Sequence, residues 1–186
     1  MTSSRSEQKK LLRNEIAAQL KKLSDNDKSK AAQDASKKLR EHFLYQRSQT
    51  VAVYLAFPNE VSLDAFIQST WDSEKVVAAP RVEGNKLVPC KIENLAKDVV
   101  QGSWNVREPR AFCVPIPEKK IDLVLVPGLA FDRMGWRLGR GQGFYDRFLS
   151  ALPDTVHTIG ICFKCQLVAS VPYGANDICV NEVIAV

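Results

Sequence analysis

The residue types best suited to chemistry are concentrated in one stretch, Val126-Pro127-Gly128-Leu129-Ala130-Phe131-Asp132-Arg133-Met134-Gly135-Trp136-Arg137-Leu138-Gly139-Arg140-Gly141-Gln142-Gly143-Phe144-Tyr145-Asp146-Arg147. Five of the chain's nine glycines lie between positions 128 and 143. Glycine admits positive φ and close backbone approach, so Gly139-x-Gly141-x-Gly143 can turn several N–H groups toward one centre while Arg137, Arg140 and Arg147 bring positive charge. That combination suits an anion, a phosphate above all. The segment is not a Walker A loop, which needs Lys-Ser/Thr after its last glycine, and its third glycine comes one residue too early for Gly-x-Gly-x-x-Gly. On spacing alone, a solvated glycine-arginine connection remains the competing explanation.

Carboxylates and one aromatic extend the set. Asp146 falls in the first turn after the glycines, where it could hold Mg2+ or its waters beside phosphates, or serve only as an acid favoured by a helix dipole. Glu60 follows Pro58-Asn59 at the end of an apolar run; it is either a turn residue or, since ligands bind at strand ends of α/β sheets, a ligand contact. Trp104 offers a stacking face for a flat heterocycle, or a core side chain. The histidines, His42 and His157, have no Ser or Cys beside them in a nucleophile context and read as structural. Five cysteines cannot all pair, and Cys162-x-x-Cys165 lacks both a second pair and a helix start, so reduced, packed thiols are expected over a redox or zinc motif.

Elements able to position these residues follow from the pattern. Ser4-x-x-Glu7 is a capping-box signal, and Leu12, Ile16, Leu20 and Leu23 recur at helical spacing until Ser24-Asp25-Asn26-Asp27 interrupts them. A second helix buries Ala32, Ala35, Leu39 and Phe43. Strands are expected at Val51–Ala56, Val76–Ala79, Ile121–Val126 and His157–Phe163. Helices are expected near Ser62–Trp71 and over Phe144–Leu152, the latter with Phe144, Phe148, Leu149 and Leu152 on one side, so the glycine loop feeds a helix N-terminus with its unpaired N–H groups. Between Arg81 and Lys120 the prolines at 89, 109, 115 and 117 suggest an irregular, pocket-forming region. Alternating strands and helices predict a layered α/β/α fold with a mostly parallel central sheet and a basic N-terminal helical pair.

The 186 residues, 45% hydrophobic, suit a single domain over 1–186. The longest apolar run, Val51 to Phe57, is far too short to span a membrane, and the N-terminus has no apolar signal core, so a cytoplasmic protein is expected. Of the net charge of +5, residues 1–47 contribute +6, from twelve Lys/Arg and six Asp/Glu. Because aromatics are nearly absent from that segment and its acids are interspersed, neither a nucleic-acid nor a membrane partner is favoured, and a monomer is expected.

Taken as a block, Pro127-Gly-Leu-Ala-Phe-Asp132 followed by Gly135-x-Arg137-Leu-Gly-Arg-Gly-x-Gly143-x-Tyr145-Asp146-Arg147 resembles the signature of the 5-formyltetrahydrofolate cyclo-ligase family, also called methenyltetrahydrofolate synthetases. The resemblance extends to Lys9-Lys10-Leu-Leu-Arg13, Val53-Tyr-Leu-Ala-Phe-Pro-Asn-Glu60, Pro80-Arg81, Ser103-Trp104-Asn105 and Asn176-Asp177-Ile-Cys-Val-Asn-Glu-Val183. It implies an enzyme that uses ATP as co-substrate and Mg2+ as cofactor to convert 5-formyltetrahydrofolate to 5,10-methenyltetrahydrofolate. It also implies that Lys9, Lys10, Leu11, Leu12 and Arg13, with Arg137, Leu138, Gly139, Arg140, Gly141, Gln142, Gly143, Phe144 and Tyr145, bind ATP. Folate contacts are implied for Leu55, Glu60, Trp104 and Arg140–Phe144, metal contacts for Asp146 and Asp177, and catalytic roles for Arg140 and Arg137. Two departures stand out: Phe144 replaces a frequent tyrosine, and Gln142 is unusual between two glycines. A relative that has lost turnover but still binds nucleotide or RNA, and a small kinase, are the competing classes.

Overall fold

The computed structural model of the chain describes residues 4–102 and 106–186. Helix α1 (Arg5–Leu20) starts at Ser4, whose hydroxyl accepts the Glu7 N–H at 3.3 Å. The polar run that interrupts the apolar repeat is itself a helix start. Ser24 Oγ accepts the Asp27 N–H at 3.1 Å, Asp27 Oδ2 accepts the Ser24 N–H at 3.0 Å, and this reciprocal cap opens α2 (Asp25–Glu41). Ile16 and Leu20 of α1 are buried, with Leu12 and Leu23 packed partly against the same core. In α2 the buried positions are Ala31, Ala35, Ser36 and Leu39. Ala32 is only half-buried and Phe43 is 61% exposed, contrary to expectation. His42 is extended and ends α2, so Phe43 begins a separate helix, α3 (Phe43–Arg47), and leaves the α2 stripe.

The chain then alternates through β1 (Thr50–Ala52), α4 (Asp64–Asp72), β2 (Val76–Glu83), β3 (Lys86–Ile92), α5 (Leu95–Asp98), β4 (Val99–Gln101), β5 (Arg107–Pro109), β6 (Leu123–Val126), β7 (Ala130–Phe131), β8 (Arg137–Leu138), α6 (Phe144–Ser150), β9 (His157–Cys162) and β10 (Glu182–Ala185). Six strands form the central sheet in the order β10-β9-β6-β1-β2-β3, parallel throughout except for the β2/β3 pair. All of Leu123-Val-Leu-Val126 is buried because the sheet is covered on both faces. Leu123 and Leu125 pack with Ile16, Leu39 and Phe66 on the α1/α2/α4 side, whereas Val124 and Val126 pack with Phe148 and Leu149 of α6. The layered α/β/α expectation holds.

Three local expectations need correction. The strand expected over Val51–Ala56 leaves the ladder after residue 52, apart from the Val53 N–H on Ala78 O, and the chain then climbs toward Glu60. Residues 81–92 are not irregular: β2 and β3 form an antiparallel hairpin turning at Gly84, whose φ is +60°. Pro80 obscures it but lies beyond the part of β2 that pairs with β1, so its missing N–H removes no parallel ladder bond. Strand β10, on the far edge, was not anticipated; beside β9 its four residues complete the sheet.

Gly160 in β9 shows why one glycine is required mid-strand. A Cβ there would sit 2.4 Å from Phe131 Cε1, and Phe131 is fully buried. Gly160→Ala should therefore lower stability by about 3 kcal/mol, measured by denaturant titration, because a packed ring has nowhere to move. An unchanged midpoint would mean that β9 and β7 tolerate separation.

Candidate functional site

The glycine loop leaves a small ribbon in which β7 and β8 pair Ala130 with Leu138 and Phe131 with Arg137. The turn between them is held by the buried carboxylate of Asp132. Its Oδ1 accepts the Met134 and Trp136 N–H groups at 3.0 Å each, and its Oδ2 accepts the Val171 N–H at 2.9 Å, which makes Asp132 a clamp for the loop's base. Beyond Leu138 the chain runs through Gly141 at φ +104° and Gly143 at φ +67°, conformations that side chains resist. Gly143 caps α6 without any side-chain acceptor. The loop is therefore shaped by glycine, as the sequence implies.

The arginines divide. Arg137 is 5% exposed; its Nη2 donates to Asp146 Oδ1 at 2.8 Å, and the same oxygen accepts the Ile178 N–H at 3.2 Å. Its Nε has no hydrogen-bond partner among the described residues. Arg147 is bound to carbonyls, Nε to Asn85 O at 2.9 Å and Nη2 to Gln142 O at 3.0 Å, with its guanidinium 5.2 Å from the Phe144 ring centroid. Arg140 reaches out of the loop instead: its Nη2 donates to Asn59 Oδ1 and Glu60 Oε1, both at 3.0 Å, and its guanidinium carbon lies 4.1 Å from the Phe57 ring centroid. Tyr145 is enclosed, and burial, then the Glu60 charge, push its hydroxyl well above the usual range, so the phenol stays protonated.

Helix α1 docks onto this loop from the other side. Lys9 Nζ donates to both Asp177 oxygens, at 2.8 and 2.6 Å, and Arg13 Nε donates to Gly139 O at 3.1 Å. Residues 9 and 13 share a helix face, as a spacing of four dictates. Lys10 and the 61% exposed Leu11 lie on the solvent side, and Leu12 packs partly into the core. Asp177 also accepts the Gly174 N–H at 2.6 Å. Burial alone would raise the Asp177 pKa, but hydrogen bonds from Lys9 and Gly174 and the Lys9 and Arg137 charges outweigh it and hold the carboxyl below its ordinary 3.8. A depressed native value means that its stabilisation is present above the unfolded pKa and lost as pH falls through the folded one. The Tm difference between the protein and Asp177→Asn should thus be constant above the ordinary carboxylate range and shrink as pH falls through and below that range. A difference that grew on acidification would contradict the clamp.

Glu60 connects the loop to a cavity. Its side chain is 7% exposed, and Oε2 accepts the Phe57 N–H at 3.0 Å. Beside it opens a cavity of about 750 Å³ between the first half of α2, residues 56–62, the start of α4 and the β4/β5 ribbon. Pocket formation by the 81–120 region is supported by Gln101 and Arg107, which line this cavity. Arg107 binds Asp64 in a fork, with two contacts of 2.8 Å. Leu55 is buried at 4% exposure and is not part of the cavity wall, and Trp104 lies outside the described residues. The structure thus brings Lys9, Arg13, the 139–143 loop, Asp146 and Asp177 together, and through Arg140 joins them to Glu60. Phe57, Asn59 and the Asp64/Arg107 pair were missed as site residues. Asn59 had the signal of a strand end, but a pair 43 residues apart has none.

Cys162 is buried in β9, where burial pushes its thiol up to about 12, and no His/Cys/Asp/Glu group of three that could hold a metal occurs among the described residues. Cys179, expected to be packed, is exposed. His42 caps α3 through Nδ1 and pairs with Glu182 at 3.0 Å.

Comparison with known proteins decides the family, since residues 5–186 match the sequence profile of the 5-formyltetrahydrofolate cyclo-ligase family. The chain belongs to that family. It is 27% identical over 187 residues to the mouse (Mus musculus) 5-formyltetrahydrofolate cyclo-ligase, covering 95% of this chain and 92% of that protein. To the Escherichia coli K12 5-formyltetrahydrofolate cyclo-ligase it is 31% identical over 146 residues, covering 74% of this chain and 78% of that one. The solved structure of the Aquifex aeolicus 5,10-methenyltetrahydrofolate synthetase superposes with a TM-score of 0.84 at 26% identity, over 95% of this chain and 89% of that one. Family membership makes the chain a ligase, and the corner built by α1, the glycine loop and Asp177 is the place to look for its chemistry.

Proposed function

We propose that this protein converts 5-formyltetrahydrofolate to 5,10-methenyltetrahydrofolate with ATP, releasing ADP and phosphate. The observation that carries this reading is Arg140, which extends from the glycine loop to Glu60 at the cavity and so joins an anion-binding corner to a heterocycle-sized pocket. The ATP phosphates lie between the 139–143 loop and the Lys9/Arg13 face of α1, and the folate ring lies in the cavity with Glu60 accepting from its N–H groups. Phe57 N–H holds the other Glu60 oxygen, so the carboxylate is oriented before the ligand arrives.

The formyl oxygen attacks the γ-phosphorus, breaking its bond to ADP and leaving a phosphorylated imidate. N10 then adds to the former formyl carbon, loses its proton, and expels inorganic phosphate as the ring closes. No enzyme nucleophile is required. Arg140, at the junction, neutralises the group in transfer, and the loop and α1 hold it in line. Asp146 and Asp177 fit Mg2+: both are carboxylates, they meet at the same C-terminal segment because Asp146 accepts the Ile178 N–H, and Mg2+ favours a few carboxylates beside phosphate oxygens. When bound there, the ion supplies neutralisation of phosphate charge. Here those acids are matched by Arg137 and Lys9, which hold the same corner together.

We place the protein in the cytoplasm as a monomer with no nucleic-acid or membrane partner. Of Lys9, Lys10 and Arg13, the cations expected to matter, Lys9 and Arg13 are turned inward while Lys10 faces solvent, and no helix among the described residues is long and apolar enough to cross a membrane. The test is near-ultraviolet absorbance of the methenyl product with ATP and Mg2+, each then withheld. Product in both omissions would overturn the ATP- and Mg2+-dependent reading, and no product in the complete mixture would overturn the ligase reading itself.

A further inference from the structure

The cavity beside Glu60 has a charge imbalance that the reaction does not use. Two carboxylates line it, and each is satisfied: Glu60 by Arg140 and the Phe57 N–H, Asp64 by the two-pronged Arg107 contact. Both arginines are therefore engaged as well. Lys28, one turn into α2, lines the same cavity, and its ammonium has no ion pair or hydrogen bond among the described residues. Ser29 and Gln33 stand beside it on the same stretch of α2 wall, offering further donors, while Ala32, Phe57 and Ala65 supply apolar surface. Lys28 as a residue is half-buried, and its ammonium, unpaired among the described residues at the wall of a cavity whose carboxylates are matched, lacks only an anion.

We infer that Lys28, assisted by Ser29 and Gln33, docks a carboxylate on the tail of the ligand that fills this cavity. The inference rests on the reading of the cavity as the folate pocket and goes beyond it by naming the end of the ligand that α2 recognises. The pterin of 5-formyltetrahydrofolate is uncharged and is served by Glu60, whereas its glutamate carries the negative charge that Glu60 and Asp64 repel and that Lys28 attracts. Arg107 is the less suitable acceptor of that tail, since taking it would mean surrendering both contacts to Asp64. Recognition through Lys28 acts on binding and leaves the phosphoryl step alone.

The test compares 5-formyltetrahydrofolate with the primary amide of 5-formyltetrahydropteroic acid, which has no carboxylate, by calorimetric titration into the protein and Lys28→Met, with Lys37→Met, exposed on the same helix and away from the cavity, as control. The expected result is about a tenfold weaker Kd for 5-formyltetrahydrofolate in K28M, as for a lost hydrogen bond to a charged group. The Kd of the amide should be equal in all three proteins. Turnover by K28M should show the loss in KM with kcat retained, and raised salt should weaken the wild-type protein more than K28M. An equal preference for the glutamate-bearing compound in wild type and K28M would overturn this inference while leaving the ligase reading intact. Absence of binding by both compounds to the wild-type protein would overturn both.

Discussion

Arg140→Ala is expected to lower kcat/KM by about 10²–10³-fold, the loss seen when one preorganised charge-stabilising donor is removed from a transition state. The Arg140 side chain is 41% exposed, but Glu60 is only 7% exposed and without the arginine keeps the Phe57 N–H, so folding should lose about 1–3 kcal/mol. Arg140→Lys should recover part of the rate, because the charge returns without the planar fork that spans Asn59 and Glu60. Steady-state kinetics beside thermal unfolding separates the two effects. Normal turnover by R140A would show that the phosphate does not pass this loop, and with it the proposed site would fall.

Arg137→Met should do the reverse and act first on stability. Its guanidinium is almost fully buried, its stem passes within reach of Gly128, and it is the charge partner of Asp146, itself only 20% exposed. Removing one member of such a pair leaves a carboxylate with the Ile178 N–H and little else, at a cost of about 3 kcal/mol. For a chain of this size that corresponds to a Tm lower by about 8 °C. The double variant Arg137→Met/Asp146→Leu should be less destabilised than the sum of its parts, since no unpaired charge remains. Additive losses would mean that Arg137 and Asp146 act independently. Sequence position groups Arg137 with Arg140, and burial is the reason its first expected effect is on stability.

That contrast illustrates what local pattern can carry. The continuous apolar run of Leu123–Val126 and the period-3.6 signal in Ile16 and Leu20 report burial directly, because the number of covered faces sets how many positions must be apolar. The glycines at 141 and 143 are similarly legible, since positive φ is a property of the residue itself. Phe43 failed as part of α2 because one extended residue, His42, rotates everything after it onto another face. The β2/β3 hairpin was hidden by prolines whose missing N–H groups matter only where a partner strand needs them, and which strand that is lies outside any local window.

By itself, then, the sequence determined the class of fold, the conformational freedom of the glycine loop, the starts of α1 and α6, and the family to which the signature belongs. Those properties reside in short stretches of chain, where backbone freedom, side-chain charge and apolar spacing act over a few residues. Only the tertiary structure decided that Lys9 meets Asp177 across 168 residues, that Arg140 leaves the loop for Glu60 across 80, and that Lys28 lines a cavity whose other charges are matched. An ion pair depends on the two charges being brought within a few ångströms, and it is the packing of α1, α2 and the sheet that sets that separation.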